Sequence, residues 1–292
     1  MNLILPVIVS GIGTGCFYAF VALGLQMTYS TNRMLNFAQG DIVVGGMFLM
    51  STLNVVLHIP AAIALILLLP MGFIIGSLFE LIVFRPLAGR PILVSGLGPV
   101  GAGIALRGLY QFIYGSSALS VPPSVNGLIA FAGVSISVQQ LLVIIGLIAC
   151  VALLYVFMRF TWTGRSMRAV AENVEGAAAI GVNQSRAKLI AVGMSGSVSA
   201  LAGGLMAPLL GVTFDGGLNL TLIAFVAAVV GGLDSAIGIT VGGLFIGLVT
   251  ATVAAVGLSA YTATSLFVVL LLAMLRRPSG LTSGGGSVAS VK

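Results

Sequence analysis

The feature that most restricts this chain is a succession of apolar blocks, each about as long as a bilayer is thick, separated by short polar stretches. A helix needs about 20 mostly apolar residues to cross the hydrocarbon core. Only helices and closed barrels satisfy their backbone groups in lipid. The blocks are too long and too continuously apolar for barrel strands of about 10 residues. They predict spans near 5–29, 36–57, 61–84, 92–114, 138–158, 188–210, 219–233, 238–257 and 261–276. The second carries Asp41 and opens on polar Asn36 and Gln39, and the seventh is short. The expected fold is therefore all-α, a polytopic transmembrane bundle of about eight or nine spans. Charged residues make up only 6% of the chain, against about 25% in a soluble domain, so one membrane domain is expected over 1–278. The tail 279–292, SGLTSGGGSVASVK, is expected to be a disordered cytoplasmic segment.

Charge orients the spans. With nine of them, every Lys and Arg except Arg107 falls on one side: Arg33, Arg85, Arg90, Arg159, Arg165, Arg168, Arg186, Lys188, Arg276, Arg277 and Lys292. Cytoplasmic loops carry the basic excess, so the N-terminus is expected outside and the C-terminus inside. The net charge of +6 does not indicate nucleic acid, because the cations form no stripe with interleaved aromatics. The N-terminus lacks a basic n-region and reads as a retained span. The uncharged stretch 115–137 reads as an external loop with a short interfacial piece. No internal repeat is defensible from the sequence.

Forty glycines would weaken helices in water, but small residues let helices approach closely in membranes. Gly11 with Gly15, Gly72 with Gly76, and Gly243 with Gly247 have the spacing for such contacts. Pro70, Pro99 and Pro208 are expected to kink or break spans. Several catalytic patterns fail on inspection. Gly96, Gly98 and Gly101 lie in an apolar block without the strand a dinucleotide site needs. Ser195 in GMSG has no histidine in reach to act as its base, since the one histidine is His58. Cys16 and Cys150 sit in apolar blocks and read as small buried hydrophobes. There is no P-loop for ATP hydrolysis and no metal-ligand cluster. The expectation is a non-enzyme without a cofactor.

The richest hydrophilic block is 159–188. Good helix formers dominate from Arg165 to Ile180, Thr163 is placed to cap the start, and Gly181 suits a left-handed stop. Arg168 and Glu172 are helical neighbours, while Met167, Val170, Val174 and Ala178 line another face. This predicts a short amphipathic cytoplasmic helix, either lying on lipid or docking a protein partner. Its apolar face of Ala, Val and Met makes a weak lipid anchor and favours the partner.

The segment TGRSMRAVAENVEGAAAIGVN resembles the cytoplasmic coupling loop of the branched-chain amino-acid ABC permease family. NFAQGD at 36–41 is similar to that family's NFAHG-type motif, and AFVAAVVGGLDSAIGITVGGL at 224–244 to its glycine-rich late segment. Gln39 stands where His is usual and Asp41 where Glu is common. The resemblance implies a half-transporter in the bacterial inner membrane. Its partners would be a second homologous permease, P-loop ATPase subunits and a periplasmic substrate-binding protein. It implies that Gly164, Arg165, Met167, Arg168, Ala169, Glu172, Ala178, Gly181 and Asn183 form the segment that seats on an ATPase. It leaves the solute open among branched-chain and other amino acids, urea, amides and aromatic acids.

Ionisable residues inside spans are functional candidates by default. Asn36, Gln39 and Asp41 could line a break where a helix starts late or re-enters. Arg107 lies well inside the fourth span, with Gln111 one turn on. These groups either face the translocation path or its gate, or pair with one another to fix helix packing. Asp215 is expected at the outer end, Asp234 as a cap for the next helix, and Glu80 beside Arg85. A secondary transporter or channel is the principal alternative; it would need a coupling carboxylate at mid-membrane, and Asp41 is expected nearer the inner end. An intramembrane enzyme lacks its catalytic groups, and a passive scaffold leaves the amphipathic helix unexplained.

Overall fold

The computed structural model describes residues 4–276 except 126, 132, 133 and 234. The predicted tail, Asp234, Arg277 and Lys292 lie outside the described residues. Six helices are long and apolar enough to cross a membrane. They are α1 (Ile4–Asn32), α2 (Gln39–Ser51, prolonged by a π-helical turn Thr52–Val56), α3 (Ala61–Phe79), α6 (Val138–Phe160), α9 (Gln184–Leu210) and α11 (Ala236–Ala255). A π turn Glu80–Phe84 carries α3 on into the short α4 (Arg85–Leu87). The other helices are α5 (Ile92–Tyr114), α7 (Trp162–Glu172), α8 (Val174–Ala179), α10 (Gly217–Gly231) and α12 (Thr262–Arg276). The expected helical bundle is thus present, with the shorter α10 and α12 at the places of the last short spans. Stretch 115–137 adds one feature not expected, an antiparallel hairpin of β1 (Leu128–Phe131) and β2 (Val134–Ser137).

Small residues set how the helices meet. Gly11 and Gly15 of α1 lie against Leu244, Gly247 and Leu248 of α11, so close that an added Cβ would collide with backbone. Gly72 and Gly76 of α3 meet Val192, Gly193 and Gly196 of α9 in the same way. Two hydrocarbon surfaces gain little by leaving lipid, so close backbone approach and dispersion carry the association. Pro70, Pro99 and Pro208 all lie inside continuous helices. No break occurs at any of them.

A second order emerges that the sequence concealed. The series α1, α2, α3, α5 has the same sequence of elements as α9, α10, α11, α12. A six-residue connection, 33–38 or 211–216, follows the first helix of each series. α1 and α9 run antiparallel, since Gly24 meets Ser199 while Thr28 meets Ser195. The principal packings exchange accordingly: α1 lies on α11 and α10, as α9 lies on α3 and α2. α6, α7 and α8 bridge the two series.

Candidate functional site

The site begins where α1 ends. After Asn32 the chain does not step aside along the surface but climbs back between α1 and α9. Asn36 starts the climb: its side-chain oxygen accepts from the Ala38 N–H at 3.1 Å, and its amide donates to Gln39 Oε1 at 2.9 Å. Gln39 then opens α2 beside Gly24, about 12 Å along α1 from its end at 1.5 Å per residue. Gln39 Nε2 donates to Ser199 Oγ at 2.5 Å and to Ser195 Oγ at 3.2 Å. Ser195 donates to the Gly24 carbonyl at 2.6 Å and accepts from Thr28 at 3.1 Å. All these side chains are buried. A polar cluster in lipid is tolerable only when its members satisfy one another. Ser195 is accordingly a packing hydroxyl, with no base beside it.

Two residues on, Asp41 is fully buried and held in a bidentate pair by one edge of a guanidinium: Arg107 Nε to Oδ1 at 2.7 Å and Nη2 to Oδ2 at 3.0 Å. Tyr110 donates to the Asp41 carbonyl at 3.1 Å. Asp41 also touches the place where Gly103 lacks a side chain, at the middle of α5. The carboxylate is therefore deep rather than near the inner end, because the 33–38 climb delays the start of α2. Arg107 remains 21% exposed. Its fork has five N–H donors, so donors remain beyond the two given to Asp41. Gln111 is exposed and does not join the pair.

A second helix, the short α10, starts beside the start of α2. The N–H of Gly40 donates to Thr221 Oγ1 at 2.8 Å, and Thr221 donates to the Gly217 carbonyl at 3.0 Å. A Cβ at Gly217 would collide with the Asp41 carboxylate, and one at Gly40 with the Gly217 carbonyl. Both short helices thus begin at one point inside the bundle, with positive dipole ends near Asp41. Sequence reading found Asn36, Gln39, Asp41 and Arg107; it missed Thr221, Ser199, Tyr110 and Gly217. The only signal for α10 was its short length. Beside the junction a cavity of about 250 Å³ is lined by Tyr18, Met47, Met206, Thr213, Asn219 and Ile223, among others.

The hydrophilic block forms two helices, not one. Asn173 adopts an extended conformation and caps α8 through Gly176 N–H at 2.9 Å, which separates α7 from α8. The cap of α7 is Thr161, accepting from Gly164 N–H at 3.0 Å, in place of Thr163. Met167 and Val170 are buried as expected, but the break rotates the next turn: Ala177 is buried and Ala178 exposed. Gly181 takes the left-handed stop at φ 83°, and Asn183 caps α9 through Arg186 N–H. Gly164 is pressed onto the Phe157 carbonyl at the end of α6. Arg165, Arg168 and Glu172 face outward, with Arg165 over the Trp162 ring at 5.1 Å. Ala169 lies half-buried between the faces.

At the same end of the bundle, the buried Glu80 carboxylate accepts from Asn32 at 2.8 Å. It lies in a cavity shared with Arg85, Arg186 and Lys188; Asn32 is its hydrogen-bond partner where Arg85 was expected. At the opposite end, Leu119 and Val212 exchange backbone bonds of 3.0 and 2.9 Å and join the uncharged loop to the start of 211–216. Asp215 is exposed there. The N-cap of α11 is Ser235, accepting from Gly238 N–H at 3.1 Å. Among the described residues no group of three metal-ligating side chains occurs.

Comparison with known proteins gives one family model over residues 7–275, described as branched-chain amino acid transport system / permease component. The chain is 28% identical over 290 residues to the high-affinity branched-chain amino acid transport system permease protein LivH of Salmonella typhimurium, covering 93% of each chain. It is 29% identical over 290 residues to the permease protein BraD of Pseudomonas aeruginosa, covering 94% of each. It is 29% identical over 282 residues to a probable branched-chain amino acid transport permease protein LivH of Methanocaldococcus jannaschii, covering 90% of this chain and 87% of that one. No solved structure gives a significant match.

Proposed function

Since the chain belongs to the family of permease components of branched-chain amino acid transport systems, we propose that it is one membrane-spanning half of an ATP-driven importer of a small amino acid of branched-chain type. The observation that carries this reading is the junction of α2 and α10. Transporters commonly bind or gate solutes where half-length helices end at mid-membrane. Here α2 and the short α10 both start inside the bundle, beside a polar cluster and an ion pair whose cation keeps donors to spare. Asn36, Gln39, Asp41 and Arg107 are the path or gate residues in this proposal, with Gln111 on the exposed side of α5. The pair also fixes packing; the two roles are compatible, because a gate must be held closed by something.

The energy comes from elsewhere. ATPase subunits would seat on the outward face of α7 and α8, at Arg165, Arg168 and Glu172, with Gly164, Met167, Ala169, Ala178, Gly181 and Asn183 shaping the segment. A second homologous permease would complete the path, and a periplasmic binding protein would deliver solute at the 115–137 and 211–216 end. Nine helices, α5, α10 and α12 included, would cross the bacterial inner membrane with the N-terminus outside. The gathering of Arg85, Arg186 and Lys188 at the end opposite the Leu119–Val212 junction supports that orientation. The test is purification from native membranes in mild detergent, with mass spectrometry of what accompanies the chain. Stoichiometric P-loop ATPases and a second permease are expected. A protein that purifies alone and moves leucine in liposomes without ATP would be a secondary transporter instead.

A further inference from the structure

Arg33 occupies an unusual place. It is the first residue after α1 and has φ 54°, a left-handed conformation that side chains other than glycine seldom adopt. Such a conformation persists only when its surroundings over-determine it. Here they do so from two sides. Toward the interior, the chain must reverse at once to climb through Asn36 to Gln39 and Asp41. Toward the surface, Arg33 Nη2 donates at 2.6 Å to the carbonyl of Ala171, in the last turn of α7, where a helix leaves its carbonyls without internal partners. A cation at that end also complements the helix dipole. The guanidinium lies over the Tyr29 ring, 5.7 Å from its centre, which limits where it can go.

One side chain therefore ties the end of α7 to the connection that places the deep polar cluster. The other attachments of α7 are to the body of the bundle: Gly164 on the end of α6, and Met167 and Val170 buried. They hold α7 to the same apolar cluster on which Leu35 of the connection packs, but as non-directional contacts, whereas Arg33 makes a hydrogen bond directly to the end of α7. Only Met34 and Leu35 separate Arg33 from Asn36, whose two hydrogen bonds fix Ala38 and Gln39. A displacement of the end of α7 has a short covalent and hydrogen-bonded route to the start of α2.

We propose that Arg33 is a positioning residue that transmits movement of α7 to the 33–38 connection, and so to the Asp41–Arg107 pair. The proposal rests on the reading of α7 as the ATPase-docking segment. Arg33 touches neither solute nor nucleotide; it acts by making the two ends of the route move together.

The experiment uses the complete transporter, with its ATPase subunits and binding protein, in proteoliposomes. The quantity read is leucine imported per ATP hydrolysed. Arg33→Gln should keep its ATPase subunits and its basal hydrolysis while import falls about tenfold, within the usual range of couplings between sites. Arg33→Lys should recover much of the import, because an ammonium can still donate to the Ala171 carbonyl. Thr161→Ala supplies the comparison: it removes the cap of α7 without touching Arg33, and should lower stability with little change in the ratio. If Arg33→Gln leaves the ratio at the wild-type value, or Thr161→Ala lowers it as far, Arg33 is only a cap and the proposal is wrong. If the wild-type chain assembles with no ATPase subunit at all, the docking reading beneath it fails instead, before any variant is compared.

Discussion

The two halves of the bundle, residues 4–114 and 184–276, repeat one plan in opposite directions, yet they divide the chemistry unequally. The first brings an amide, a carboxylate and a guanidinium to the centre: Gln39, Asp41 and Arg107. The second brings hydroxyls and empty space: Ser195, Ser199, Thr221 and Gly217. Where α2 presents a charged side chain, α10 presents a glycine on which it rests. The lesson is that repetition supplies the architecture, two helices starting at one point inside the bundle, while the buried ion pair comes from the repeat's failure to be symmetric. Two carboxylates at the junction would repel one another; one carboxylate needs one cation and one gap.

The strongest way to break this comparison is to remove half of the ion pair. Arg107→Leu leaves Asp41 buried and unpaired, which should cost about 3–5 kcal/mol and appear as a large fall in thermal unfolding temperature in detergent. The double variant Asp41→Asn, Arg107→Gln removes both charges and should unfold much closer to wild type. Its import of leucine should nonetheless be lost. Normal import by a normally expressed double variant would leave the pair with a packing role alone.

Filling the gap on the other half should be the next largest effect. Gly217→Val pushes a side chain into the Asp41 carboxylate and should cost about 1–3 kcal/mol, as overpacking does. The paired contacts sharpen the point. Gly72→Val on α3 and Gly243→Val on α11 occupy equivalent positions in the two halves, each against backbone. Their losses should match within about 0.5 kcal/mol if the halves are equivalent in packing. A large difference would restrict the equivalence to topology.

The smallest effect should come from Thr221→Val, which removes the acceptor for the Gly40 N–H. An unsatisfied buried donor costs about 1–3 kcal/mol, and the lower end is expected because a valine keeps the volume. Equal stability of this variant would mean that the Gly40 N–H finds another partner.

Much of the fold was legible. Apolar blocks located the helices, and Gly11, Gly15, Gly72, Gly76, Gly243 and Gly247 marked where helices touch. The deep polar residues were legible too, because ionisable groups are conspicuous in an apolar chain. Their relations were not. Asp41 reads from its position as lying near the inner end, and only the climb of 33–38 puts it at the middle of α5. The single amphipathic helix read over 165–180 is two helices, because Asn173 prefers to cap a new one. The repeat escaped detection because lipid accepts nearly any apolar side chain, so two segments can keep one shape without keeping residues.

What the sequence determined alone is the solvent, the class of fold and the inventory of polar groups, since each follows from the free energy of moving single residues between water and lipid. What the tertiary structure decided is depth and partnership: which helix starts inside the bundle, which cation answers which carboxylate, and which glycine makes the room. Those depend on groups such as Asp41 and Arg107, or Gly40 and Thr221, meeting across long stretches of chain. A residue's own type fixes what it must find in the membrane; only packing settles which neighbour provides it.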